Sequence, residues 1–134
     1  MISRHADMPI TAKPNMRGGD GTAHLTAIFP VLPAHARLFS VIELQPGESI
    51  GYHVHENETE MFYFMEGTAQ VQDDQETHVL HPGDALSTPS GHGHSVRNTG
   101  DVPLRFVAAI ILDETPLPGP PPGLFILYRK EEPP

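Results

Sequence analysis

Gly47-Glu48-Ser49-Ile50-Gly51-Tyr52-His53-Val54-His55-Glu56-Asn57-Glu58-Thr59-Glu60 runs on through Met61-Phe62-Tyr63-Phe64-Met65-Glu66 to Gly67. His53 and His55 stand one residue apart in a segment that alternates like a strand. Strand side chains repeat every two residues, so the two imidazoles share a face. The polar run from Glu56 to Thr59 suits a turn that brings Glu60 back to face them from the next strand. Two neutral imidazole nitrogens and one carboxylate on a common face are a donor set suited to Fe, Mn, Co, Ni or Zn.

A second stretch follows after a short interval: Gly83-Asp84-Ala85-Leu86-Ser87-Thr88-Pro89-Ser90-Gly91-His92-Gly93-His94-Ser95-Val96-Arg97-Asn98. Together the two carry the spacing G-x5-H-x-H-x4-E-x6-G and G-x5-P-x-G-x2-H-x3-N, with Gly47, His53, His55, Glu60 and Gly67, then Gly83, Pro89, Gly91, His94 and Asn98 at the fixed positions. In this the chain resembles the cupin superfamily. The resemblance implies a small antiparallel double-stranded β-helix (jelly-roll) barrel with one divalent transition metal inside it. The residues that match the family's ligands are His53, His55, Glu60 and His94. From Met16-Arg17-Gly18-Gly19-Asp20-Gly21 to about residue 112 the chain is similar to small one-domain bacterial cupins of the oxalate-decarboxylase-like type. It has neither the second cupin nor the Ser-Glu-Asn-Ser lid of the two-cupin oxalate decarboxylases.

The rest of the chain reads as all-β without the resemblance. Fifteen Pro and 12 Gly punctuate short runs, and no stretch has a helical period. Leu25 to Phe29, Arg37 to Leu44 and Leu104 to Leu112 read as strands. Thr68 to Val71 and Thr77 to Leu80 flank an acidic hairpin tip. Pro46-Gly47 and Pro82-Gly83 each open a tight turn before a strand that leads to histidine. Residues 1–24 are expected to form an extended arm, placed along the barrel, on a second subunit or over the pocket as a lid. Residues 25–112 form the barrel, and 113–134 a Pro-rich tail. In that tail Leu124-Phe125-Ile126-Leu127-Tyr128 is an apolar strand that needs a surface, which favours a homodimer.

Composition limits the function. A chain of 134 residues is one domain, and its net charge of −9 lacks the basic patch a nucleic-acid partner requires. With no cysteine, thiolate ligation and disulfides are excluded. No apolar run is long enough to cross a bilayer, and the first residues lack the apolar core of a signal peptide, so a soluble cytoplasmic protein is expected.

Strand parity assigns further roles around the ligands. With Glu60 inward, Phe62 and Phe64 share its face, and Val96 and Asn98 share that of His94, so Phe62, Phe64 and Val96 are expected to line the cavity, with plain barrel core as the other reading of the two phenylalanines. Tyr52 and Tyr63 point away. His92 is a rim residue or a proton shuttle, and the one candidate for a catalytic group beyond the ligands. Glu56 and Glu58 read as solvated loop carboxylates. Arg37 and Arg105 lie on strands, where a charge faces water or, turned inward, clamps a substrate carboxylate. The expected function is that of a metalloenzyme acting on a small carboxylate or keto/enol compound, of decarboxylase, lyase or dioxygenase type. The alternatives are a cupin that binds a small acid or sugar without turnover, and a sugar isomerase-type cupin.

Overall fold

The computed structural model describes residues 1–113. The apolar stretch at 124–128, and with it the tail expected to cover a surface, lies outside them. Ten strands follow one another: β1 (Ile10–Pro14), β2 (Thr22–Ala27), β3 (Ala36–Leu44), β4 (Ser49–Val54), β5 (Glu58–Glu66), β6 (Ala69–Asp73), β7 (Glu76–Leu80), β8 (Ala85–Thr88), β9 (Gly93–Asn98) and β10 (Leu104–Leu112). They form two antiparallel sheets, one ordered β1-β2-β3-β10-β5-β8 and one ordered β4-β9-β6-β7. Neither sheet closes on itself, and the jelly roll is a two-layered sandwich. No helix among the described residues is long and apolar enough to cross a membrane.

The period of two decides which side chains enter the core. Along β5, Glu60, Phe62 and Phe64 are buried while Met61 and Tyr63 are exposed. On β9, His94, Val96 and Asn98 are buried. The core joins Ile42, Leu44, Phe62, Phe64, Leu104 and Phe106 of the larger sheet to Ile50, Ala69, Val71 and Val96 of the smaller one. Ring contacts of Phe106 with Phe62 (centroids 4.7 Å apart) and Phe64 (5.2 Å) fill its centre. Tyr52 and Tyr63 turn outward, as their parity requires.

The two Pro-Gly turns are built alike. Gly47 (φ +84°) and Gly83 (φ +95°) take the left-handed conformation that a side chain resists. In each, the following acidic residue reaches back: Glu48 accepts from the Gln45 N–H and Asp84 from the His81 N–H, both at 2.8 Å. The turns aim β4 and β8 across the sandwich. The second oxygen of Glu48 also accepts from Thr22 N–H at 2.8 Å, which fastens the N-terminal segment to the same corner.

That segment is not a free arm. β1 pairs with β2 in register from Ile10↔Thr26 to Pro14↔Thr22, at the outer edge of the larger sheet. Between them a one-turn 3₁₀ segment, Met16–Gly18, lies on β4. Its approach is close because Gly19 and Gly51 have no Cβ: a methyl on Gly51 would overlap the Arg17 carbonyl oxygen, and one on Gly19 that of Ser49. The Pro and Gly content that suggested an arm is what lets the chain lie this near the sandwich.

Asn98, the last position of the second motif, secures the other end. Its buried amide donates to the carbonyls of Leu44 (2.9 Å) and Val102 (2.8 Å), and its Oδ1 accepts from Gly100 N–H (2.9 Å). These bonds hold the end of β3 to the β9–β10 turn. Replacing Asn98 with Ala removes three bonds and strands buried backbone carbonyls, at a cost of about 2–4 kcal/mol. Urea denaturation measures this, and an unchanged midpoint would remove Asn98 from the framework.

Candidate metal centre

His53 lies on β4 directly opposite His94 on β9. His55 follows the end of β4, where its N–H donates to the His92 carbonyl at 3.0 Å. A turn through Asn57 (φ +62°) then reverses the chain into β5 and carries Glu60 in from the larger sheet. His55, Glu60 and His94 are buried, and His53 is partly exposed.

The four side chains converge on one point. The Nε2 atom of His94 lies 3.1 Å from Nε2 of both His53 and His55. Oε1 of Glu60 lies 3.0 Å from Nε2 of His55 and of His94. All four donor atoms fall within 4.8 Å of one another. The imidazole planes cross at 70°, 74° and 87°. Donor–metal bonds of about 2.0–2.1 Å put neighbouring donors about 2.9–3.0 Å apart on an octahedron and about 3.3–3.4 Å apart on a tetrahedron. The observed edges of 3.0 and 3.1 Å are of the size at which donors can share a single ion.

The outer partners point the same way. Nδ1 of His53 donates to the Gly51 carbonyl at 2.7 Å, and Nδ1 of His55 to the Glu58 carboxylate at 2.6 Å. With the proton held on Nδ1, each neutral ring turns the bare lone pair of Nε2 inward. Nδ1 of His94 is bonded to the Thr88 hydroxyl at 2.7 Å. Bare nitrogens facing one another and a carboxylate repel until a cation sits between them. The donor set therefore fits a divalent metal.

Glu58 is not the solvated loop carboxylate its neighbourhood in sequence suggests. Its side chain is largely buried and accepts two bonds from Arg37, from Nε at 2.9 Å and Nη2 at 2.8 Å, besides that from His55. The Arg37 guanidinium, helped by His55, holds the Glu58 carboxyl down at about 2, and Glu58 raises Arg37 in turn. Arg37 is thus paired, with its head at the cavity mouth. Arg105 is paired too, with Glu66 at 3.1 Å and Glu43 at 3.4 Å, on the outer face of the larger sheet.

The ligands open onto a cavity of about 510 Å³. Its walls are Leu25, Leu38, Arg37 and Ile110 from the larger sheet, and Lys13 to Arg17 from the N-terminal segment. Phe62, Phe64 and Val96 do not line it and belong to the core beneath. They share the inward face, but successive inward positions run away from the mouth into the core. Phe62 instead stacks on the back of the His94 ring, with centroids 4.9 Å apart and planes 19° apart. His92 is also outside the cavity. Its half-exposed ring bonds Asp74 at 2.6 Å, which raises its pKa. Lys13, Met16 and Arg17 are the residues that reading strands overlooked, and only the resemblance over Met16 to Gly21 hinted at them.

A family model described as Cupin domain matches residues 40–110. The chain belongs to the cupin family. Over 114 residues this cupin is 37% identical to a protein of Thermotoga maritima named oxalate-binding protein, covering 84% of this chain and 94% of the relative. It is 31% identical over 123 residues to the tetracenomycin polyketide synthase protein TcmJ of Streptomyces glaucescens, covering 84% and 81%. A crystal structure described as a predicted oxalate decarboxylase from Thermotoga maritima superposes with a TM-score of 0.78 at 36% identity, over 84% of this chain and 99% of that one. A sugar phosphate isomerase of the cupin superfamily from Silicibacter pomeroyi, 21% identical with a TM-score of 0.69 over 81% and 74%, shares the fold.

Two outcomes are expected of this site. Glu58→Gln keeps the shape but replaces a charged acceptor by a neutral one, so His55 becomes a poorer donor and metal affinity drops on the order of 10- to 100-fold. Competition with a chromophoric chelator reads this, and wild-type affinity in the variant would remove Glu58 from the site. The second concerns pH. Burial first, then repulsion from His94, Arg17 and His55, lowers the His53 pKa to about 4 against the Gly51 bond that raises it. A depressed pKa favours the neutral ring, so the stability that depends on it is complete above about 6.5 and is lost as pH falls through about 4. Melting temperatures of chelator-treated protein should decline across that window, and less steeply in His53→Asn.

Proposed function

We propose that this cupin holds one divalent transition metal on His53, His55, Glu60 and His94 and binds a small carboxylate or keto/enol anion in the cavity in front of it. The observation that carries this reading is the opening of the converged donors onto a cavity bordered by cations, in a chain of net charge −9. Mn, Fe, Ni, Co and Zn all suit the donor set. When bound, such an ion acts as a Lewis acid that polarises a carboxylate or enolate oxygen. The protein residues do the rest. Glu58 and Gly51 hold the His55 and His53 rings in the ligating tautomer, and Phe62 fixes the tilt of His94. Leu25, Leu38 and Ile110 restrict water on one side, while Lys13 and Arg17 attract the anion on the other. The name of the oxalate-binding relative agrees with a small acid as ligand.

A second reading is turnover of that acid, by decarboxylase, lyase or dioxygenase chemistry, with sugar isomerisation as a further alternative. The apolar side of the cavity favours it, because exclusion of water strengthens the field of the ion. Against it, the cavity-lining residues able to move a proton are, among the described residues, the ligands themselves and Lys13. Binding without turnover is therefore the primary reading.

Elemental analysis of protein purified without an affinity tag tests the metal, with about one equivalent expected per chain and loss expected in the His53→Ala/His55→Ala double variant. Calorimetry with oxalate and related acids then tests the ligand, and oxygen uptake and carbon dioxide release test turnover. Protein that is free of metal and cannot be loaded would overturn the reading. Metal-loaded protein that binds an acid and leaves it unchanged settles on the binder.

A further inference from the structure

Arg17 is placed in an unusual way. It sits in the left-handed region at φ +55°, between Asn15 at +49° and Gly18 at +80°. A non-glycine residue in that region is strained and persists where its surroundings hold it there. Here they do. The Asn15 side chain donates to the Gly19 carbonyl at 3.1 Å, Gly19 N–H to Met16 at 3.0 Å, and Ser49 N–H to Asp20 at 2.9 Å. The Arg17 carbonyl is pressed against Gly51, whose own carbonyl orients His53. The backbone at Arg17 is thus in register with the ligand set.

The side chain borders the same cavity as His53, His55 and Glu60. Among the described residues Arg17 has no ion pair or hydrogen-bonded side-chain partner, and neither does its neighbour Lys13. Arg37, the other guanidinium at the mouth, already forks onto Glu58 through Nε and Nη2 and has its charge paired there. An unpaired guanidinium in an acidic chain, carried on a fixed backbone at the rim of an open site, is suited to receive a carboxylate in forked geometry. A cavity of about 510 Å³ also leaves room for a ligand with a second functional group some distance from the metal position.

We propose that Arg17 is a specificity-determining residue and that the preferred ligand is a dicarboxylate longer than two carbons, with one end at the metal position and the second carboxylate on the Arg17 guanidinium. This rests on the small-acid reading above and narrows its ligand class. Lys13 adds to the field at the mouth without being required for the fork.

The test compares two probes on full-length protein loaded with Mn²⁺: malate, and 2-hydroxybutyrate, which carries a methyl where malate has its second carboxylate. Calorimetry should show wild type favouring malate by on the order of 10- to 100-fold, the range of a charged hydrogen-bonded pair. The preference should shrink as salt rises. Arg17→Gly adopts the same backbone without strain and so keeps the turn. It should bring malate down close to the level of 2-hydroxybutyrate, whose own affinity falls only by the lost long-range attraction, with no loss of Mn²⁺ content. Arg17→Lys should restore part of the gap. If 2-hydroxybutyrate binds wild type as well as malate does, or if Arg17→Gly weakens both acids equally, the inference is overturned while the small-acid reading stands. If neither acid binds the loaded wild type, both fall together.

Discussion

Three imidazole nitrogens and a carboxylate oxygen held within 4.8 Å of one another are the constraint that the rest of this fold serves. Left to themselves such groups separate, because lone pairs and negative charge repel in a poorly solvated site. The sandwich keeps them together by making each one part of something stiffer. His53 and His94 are cross-strand partners, Glu60 is fixed on a strand buried among phenylalanines, and His55 is caught between the smaller sheet and the Glu58 carboxylate.

Support extends outward in two directions. On one side it runs from His55 through Glu58 to Arg37, so a guanidinium at the cavity mouth positions the carboxylate that orients a buried imidazole. On the other it runs from His53 through the Gly51 carbonyl to the N-terminal 3₁₀ segment, which the absence of Cβ atoms at Gly19 and Gly51 brings against β4. The same segment closes one wall of the cavity. The pocket is therefore assembled from both sheets and from residues that precede the sandwich in sequence.

The shared face of His53, His55 and Glu60 was legible because a period of two is a strong constraint, while His94 and the jelly roll followed from the resemblance to cupins. Once His53 and His55 share a face and Glu60 is inward, the burial of Phe62, Phe64, Val96 and Asn98 follows. What parity does not encode is depth, and so Phe62 and Phe64 became the floor of the core where a lining was expected. Glu58 escaped because its partner Arg37 is 21 residues away and meets it only through the order β3-β10-β5. The N-terminal segment escaped for a related reason. Its Pro and Gly residues read as a loop, and nothing local signals that β1 pairs with β2 or that Arg17 meets a surface made by Gly51. His92 takes the rim position, one of the two expected for it, because its ring turns out to Asp74.

His53 and His94 are 41 residues apart in the chain, and Glu60 joins them from the opposite layer. An ion held by all three ties two layers together across a long loop, as a disulfide does in other small proteins, and this chain has no cysteine with which to make one. A covalent bridge closing a loop of that length removes on the order of 4 kcal/mol of freedom from the unfolded chain. An ion held at these residues would be a reversible rivet between the two layers, in the place that a disulfide takes in chains with cysteine.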